Sequence, residues 1–315
     1  MMEEKLPKEL HDPFKDSGFK SINKAISASL HQVKDGMEGK RRVYPTKWAR
    51  LNKNLLGGLQ PGKMYVIAGR PGVGKSAFSN QLIFDLLDNN RGKKLLVLYW
   101  SFEMPGYQQI LRAGSKGSGK EISELLSVEQ KLEQDAYEAF KVEVLKYANY
   151  PIYFNSIPRD MEFVKNANID VTNKKPDHTI INVFDHSRLI LSEREQELQK
   201  LNDVSKGCMW LQAKMGTINI LLSQLNRNIE QEHRAKAQYQ PLLTDLFGGD
   251  SIGQDAHVVM MLQRPHDLYG ITDLYCGEDP VRLLGVHIEK NRDGLLGMIP
   301  YEAEMSTFTI NERKK

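Results

Sequence analysis

Residues 69–76 read Gly-Arg-Pro-Gly-Val-Gly-Lys-Ser and fit the pattern G-x-x-x-x-G-K-[ST]. Residue types in that order are suited to holding phosphates. Gly69, Gly72 and Gly74 let the backbone fold closely enough for its N–H groups to converge on an anion. A helix N-terminus directly behind the loop adds a favourable dipole. Lys75 then reaches the terminal phosphates of ATP, and the Ser76 hydroxyl is placed for Mg²⁺. Arg70, Pro71, Val73 and Ala77 complete the nucleotide-binding segment. The apolar run at 64–68 ahead of it and the helical pattern after it supply the strand–loop–helix context that separates a phosphate loop from a chance match.

Further polar residues stand at the ends of other apolar runs. Asp185 directly follows "TIINVF", where a carboxylate is costly unless it is paired or bound to a cation. It reads as the second residue organising Mg²⁺. Glu103 follows "LLVLYWSF" and reads as the group that orients and polarises the water attacking the γ-phosphate. Taken singly, either is equally a helix cap or a solvated charge. With the phosphate loop, each ends a strand of one sheet, and ligands of such sheets sit at those ends. Gln224 ends another run, "INILLSQ", where an amide can sense the γ-phosphate or simply close a turn.

These groups need a scaffold. Candidate strands are residues 64–68, 95–100, 152–154, 180–184, 218–222, 258–262 and 283–288. Most are continuously apolar rather than alternating, which predicts strands covered on both faces, a mainly parallel α/β sheet flanked by helices. Phe78, Leu82, Ile83, Leu86 and Leu87 predict a helix with one core face, and Val128, Leu132, Ala136, Phe140 and Val144 predict another. "GSKGSGK" at 114–120 reads as a flexible surface connection. Ahead of the sheet, Phe19, Ile22, Ile26, Leu30 and Val33 predict an amphipathic helix over about 19–35, broken by Gly36 and Gly39. Its apolar face must dock in cis or on a neighbouring subunit, since a lone helix of this length is marginal. The organisation expected is an N-terminal tail and helix over 1–45 and an ATPase domain over 46–315.

Composition is permissive. A net charge of +3 allows a nucleic-acid partner without requiring one. The two cysteines, Cys208 and Cys276, form no C-x-x-C pair, which argues against a zinc knuckle or thiol redox site and for reduced thiols in a cytoplasm. No apolar run approaches the roughly 18 residues of a membrane span, and the charged start "MMEEKLPKEL" does not read as a secretory signal.

The motifs taken together, "AGRPGVGKSAF", "SFEMP", "FDHSRLI", "SQLNR", "DLFGGDSIGQDAHVVMML" and "EKNRDGLLG", resemble the DnaB-type replicative helicases in order and spacing, over residues 48–308. The resemblance implies a RecA-like P-loop fold preceded by a linker helix that docks on the adjacent subunit. It implies a ring of six copies, with ATP and Mg²⁺ at the interfaces, translocating on single-stranded DNA and opening forked DNA. It makes Lys75 and Ser76 phosphate and Mg²⁺ ligands, Glu103 the catalytic carboxylate, Asp185 the Mg²⁺-associated acid and Gln224 the sensor. Arg292, with Lys290 beside it, becomes the arginine acting in a neighbour's site. DNA contacts fall after the Asp185 and Gln224 strands, at about 188–207 and 226–252, with Arg227, Arg234, Lys236, Phe247, Gly248 and Gly249 as candidates.

The sequence also departs from the family. "Phe247-Gly248-Gly249-Asp250" lacks the basic residue usual there, and Phe247 either stacks on a base or packs under its loop. "DHSRL" replaces aspartate–tyrosine–leucine–glutamine, and His186 either contacts the nucleotide or simply packs, with no catalytic task assigned. Only about 45 residues precede the domain, which implies a phage- or plasmid-type version without the helical domain that recruits primase. A cytoplasmic protein is expected, with no membrane partner and no identifiable loader. Two other readings share the phosphate loop: a RecA- or RadA-like recombination ATPase, and a nucleotide-switched assembly or loader protein with little turnover.

Overall fold

A computed structural model describes residue 19 and residues 21–187, 190–192, 194, 196–247, 249–274 and 276–313. The chain divides into two compact units, Met1–Val43 and Tyr44–Lys315. In the first, α1 spans Ile22–Met37. The Ser21 hydroxyl caps it by accepting the Lys24 N–H at 3.4 Å, so it starts three residues later than the periodicity predicts. It also runs through Gly36, ending only before Gly39. None of its residues is buried, and Ile22, Ile26, Leu30, Val33 and Met37 are all exposed.

The second unit opens at Tyr44, two residues before the expected boundary. Tyr44 is buried, pairs with Leu59, and its hydroxyl bonds that of Thr179 at 2.6 Å, so it belongs to the core. The elements are α2 (Ala49–Asn54), β1 (Met64–Gly69), α3 (Lys75–Asn89), β2 (Leu95–Ser101), α4 (Gly106–Ser118), α5 (Ile122–Leu125), α6 (Gln134–Leu145), β3 (Ile152–Asn155) and α7 (Met161–Lys174). They continue with β4 (Thr179–Asp185), α8 (Glu197–Met215), β5 (Ile218–Gln224), α9 (Gly249–Asp255), β6 (Val258–Gln263), α10 (Pro265–Tyr269), β7 (Leu283–Asn291), β8 (Gly297–Glu304) and β9 (Thr309–Glu312). Short 3₁₀ turns punctuate residues 227–245.

All nine strands form one sheet in the order β3-β2-β4-β5-β1-β6-β7-β8-β9. From β3 to β6 it is parallel, and β7, β8 and β9 add antiparallel strands. Two apolar layers cover it. One packs Trp48, Phe78 and Leu82 against Tyr65, Val97 and Tyr301. The other packs α7, α8 and α9, through Val164, Cys208 and Ile252, against Val66, Phe184 and Met261. The continuously apolar strands are thus buried on both faces, as their composition predicts. Strands β8 and β9 were not among the candidates. They are mixed in burial, and Pro300 and the turn at 305–308 interrupt the pattern.

Two expectations need correction. Residues 114–118 are not a surface loop but the last turns of α4, with Ala113, Gly114 and Ser115 buried. Gly114 is there because α6 lies too close for a side chain: an added Cβ would collide with Phe140 and Val144. Lys116 meanwhile reaches Asp85 of α3 at 2.6 Å. The second helix expected from Val128 begins only at Gln134, and Val128 is exposed.

A buried amide cluster sets strand register near the site. Asn182 of β4 lies opposite Asn219 of β5 and donates to its oxygen at 3.1 Å. It also donates to Asn168 of α7 at 2.9 Å and accepts the indole N–H of Trp100 of β2 at 3.0 Å. Asn168, Asn182 and Asn219 are fully buried, so any lost partner leaves a desolvated polar group. Asn182→Ala strands several such groups at once. It should lower unfolding free energy by about 3 kcal/mol, read from denaturant midpoints at unchanged slope.

Candidate active site

The phosphate loop turns sharply between β1 and α3. Gly74 has φ +101°, and a Cβ there would meet Met305 at 2.6 Å, so glycine is required on both counts. Lys75 donates to the carbonyls of Gly69 at 2.9 Å and Arg70 at 3.2 Å, holding the loop closed on itself. Burial pushes the Lys75 ammonium down to about 8, against the pull of Asp185 and Glu103.

Parallel register delivers the acids. Ser101, the last residue of β2, pairs with Asp185, the last of β4. The N–H groups of Phe102 and Glu103 both donate to the Asp185 carbonyl, at 3.0 and 3.3 Å. Gln109 of α4 steadies this turn, donating to the Ser101 hydroxyl at 3.1 Å and accepting from Asn80 of α3 at 2.9 Å. Glu103 is about half exposed, with His186 Nε2 at 3.9 Å. Asp185 is only 2% exposed. One of its oxygens accepts the Ser76 hydroxyl at 3.3 Å, and the other has no hydrogen-bond partner among the described residues. Burial drives its carboxyl up to about 6; the Ser76 hydrogen bond and the charges of Arg112 and Lys75 pull the other way. A buried carboxylate with an unpartnered oxygen beside a serine hydroxyl fits a divalent cation. Mg²⁺ typically takes one or two protein groups plus phosphate oxygens and water.

Lys75, Ser76 and Glu103 line one cavity of about 320 Å³, with Gln224 on its wall, and Asp185 lies behind Ser76. Gln224 is paired in register with Gly69, so the end of β5 sits beside the loop's first glycine. Sequence reasoning missed Arg112, Arg264, Met104, Met305 and Phe308, which also line the cavity. Arg112 lies over the Phe308 ring at 4.8 Å. Burial lowers its basicity, and the charges of Asp185 and Glu103 partly restore it. Its guanidinium makes no side-chain hydrogen bond or ion pair among the described residues. No local motif marks it; only the packing of α4 against the β8–β9 turn brings it in.

Residues 44–310 match the family described as DnaB-like helicase C terminal domain. The chain belongs to that family. The replicative DNA helicase DnaB of Rickettsia prowazekii is 23% identical over 323 residues, covering 95% of this chain and 65% of its own length. That of Mycoplasma pneumoniae is 27% identical over 274 residues, covering 82% of this chain and 55% of its own. The chain thus spans less than two thirds of these relatives. In three dimensions it resembles a DnaB-like replicative helicase whose structure was solved together with its interactions with primase. The TM-score is 0.80 at 18% identity, covering 94% of this chain and 68% of that one. It is also similar to a KaiC-like protein of Pyrococcus horikoshii OT3, with TM-score 0.57 at 15% identity, covering 87% of this chain and all of that one. These likenesses show the RecA-like fold.

The remaining expected residues lie elsewhere. Lys290 donates to the carbonyls of Gly253 and Gln254 at 2.8 and 2.7 Å, and Arg292 to that of Gln254 at 2.8 Å, so both cap the C-terminus of α9. Neither lines the cavity. Arg227 and Lys236 are exposed. Arg234 is instead committed to a two-pronged pair with buried Asp245, both distances 2.9 Å, and to the Gln240 carbonyl. Phe247 packs against the core, favouring the packing alternative. Gly249 starts α9, and Gly248 lies outside the described residues, as do Arg188 and Leu189. Within the first expected DNA segment, about 188–207, α8 takes over at Glu197. Arg70 is held by Glu230 at 2.7 Å and the Leu225 carbonyl at 3.0 Å.

Affinity for Mg²⁺–nucleotide should peak between about pH 6 and pH 8. Below that window Asp185 is protonated in the free protein, and binding must expel a proton. Above it Lys75 is neutral, and binding must take one up. Calorimetry in buffers of different ionisation enthalpy should read release on the acid side and uptake on the alkaline side.

Proposed function

We propose that the chain is the motor domain of an ATP-driven replicative helicase, a ring of copies that moves along single-stranded DNA and parts the duplex. The observation that carries this reading is a division of the catalytic groups between opposite edges of one sheet. The loop, Glu103, Asp185 and Gln224 stand at the carboxyl ends of the parallel strands. Asn291 pairs with Val258 at the start of β6, whereas Gly69 pairs with Leu262 near its end. Four residues of strand separate those positions, roughly 13 Å. Arg292, turned towards α9, therefore serves another copy's cavity rather than its own.

Lys75 leaves the Gly69 and Arg70 carbonyls for the terminal phosphates. Ser76 and Asp185 would hold Mg²⁺, which would supply charge neutralisation to the phosphates. Glu103 aligns the attacking water. Gln224 faces the γ-phosphate, and its carbonyl accepts the Phe247 N–H at 2.9 Å, so the end of β5 is tied directly to the segment proposed to meet DNA. Arg227, Lys236 and backbone amides at Gly248 and Gly249 grip phosphates without reading bases; Arg234 is left out of that set. The exposed stripe of α1 docks on a neighbouring copy. A site completed only across an interface couples hydrolysis to subunit movement, which a recombination filament shares but a low-turnover loader does not need. Strand-exchange and unwinding assays separate the first alternative, and DNA-stimulated turnover the second.

Lys75→Ala should abolish ATP turnover. Arg292→Ala should lower kcat by about 10³-fold while nucleotide affinity stays within a few-fold. Mixing the two variants should restore DNA-stimulated turnover, because pockets of the second then receive arginines of the first. Mixtures as inactive as their components would exclude the cross-subunit site.

A further inference from the structure

We propose that Lys63, through its ion pair with Asp293, is a positioning residue for the arginine that each copy lends to its neighbour. The proposal rests on the cross-subunit role of Arg292. Lys63 immediately precedes β1, and its ammonium lies 2.6 Å from the Asp293 carboxylate. The Lys63 side chain is 15% exposed and that of Asp293 55%. A pair open to water on one side contributes little net stability. Its evident effect is geometric: it fixes the residue next to Arg292.

The rest of the turn is already tied. The Arg292 N–H donates to the His257 carbonyl at 3.0 Å. The Asn291 amide donates to the Asn54 carbonyl at 2.8 Å and accepts the Gly294 N–H at 3.0 Å. The guanidinium rests on the Gln254 carbonyl at 2.8 Å and that of Asp255 at 3.3 Å. Asp255 is itself held by the Ser205 hydroxyl at 2.6 Å. These bonds anchor the turn to α2, α9 and the loop before β6. Among the described residues, the Lys63–Asp293 pair is what ties it directly to the start of β1, the strand that ends in the phosphate loop.

Charge gives the pair a second reason to exist. Lys63, Lys290 and Arg292 crowd half-buried His257; burial first, then these cations, hold its imidazole below the ordinary value. Asp293 is the acid that opposes them there. Without Asp293, the charges of Lys63, Lys290 and Arg292 repel one another across the Arg292 turn; without Lys63, Asp293 loses its anchor at the start of β1. A displacement of about 1 Å in a group that meets a transferring phosphoryl can cost about a hundredfold in rate.

The test uses the full chain. Lys63→Met should lower DNA-stimulated kcat about tenfold, with KM for ATP and the thermal midpoint unchanged. Asp293→Asn, a change at an exposed side chain, should do the same, and the exchange Lys63→Asp with Asp293→Lys should recover most of the loss. Adding Lys75→Ala protein to Lys63→Met protein should raise turnover, because its pockets then receive well-held arginines. Wild-type kcat in both single variants overturns the proposal. So does a loss that mixing leaves unchanged while Arg292→Ala does recover on mixing; the cross-subunit reading then stands without it. If Arg292→Ala also fails to recover, that reading falls and takes this proposal with it.

Discussion

A carboxylate forced out of water at the end of a strand organises this molecule. Asp185 is nearly inaccessible, has one oxygen without a partner among the described residues, and holds its proton up to about pH 6. Burying such a group is unfavourable in the absence of a cation. The fold nevertheless commits many groups to keeping it there. The amides of Asn168, Asn182 and Asn219 set the register of β4 against β5, and the backbone N–H groups of Phe102 and Glu103 clasp the Asp185 carbonyl. Desolvation of this kind is relieved by a cation at the free oxygen.

The same sheet carries two further devices at its two edges. At the carboxyl edge, Gln224 lines the cavity, and its carbonyl accepts the Phe247 N–H. At the amino edge, Arg292 and Lys290 sit on the carbonyls of α9, the helix that begins just after Phe247. Phe247 is thereby bonded to Gln224 on the cavity wall, and the end of the following helix, at Gln254 and Asp255, carries Arg292. β1 repeats the arrangement, with Lys63 at one end and the phosphate loop at the other. Buried strands are stiff, so shifts at one edge are carried to the other as displacement rather than absorbed.

The parallel core was legible because its strands are apolar without alternation, and the phosphate loop because glycine spacing is a local requirement. Glu103, Asp185 and Gln224 were legible for a related reason: a polar residue ending a buried run is visible in one dimension. What was missed has no such local mark. The 114–118 segment looks like a linker by composition, yet its glycine answers to Phe140 and Val144, which lie on α6, more than twenty residues away in sequence. Arg112 enters the cavity only because α4 folds back against the β8–β9 turn. Arg234 carries the charge of a phosphate contact, but Asp245 claims it.

The amino-acid order alone thus determined the nucleotide loop, the acids at the strand ends and the class of fold, because each depends on neighbours a few residues apart. Tertiary structure decided which charges are available and which are consumed. It also decided that Arg292 rests on the carbonyls ending α9 and is not part of the cavity lining. Both depend on partners brought together by strand order, and no window of sequence contains them.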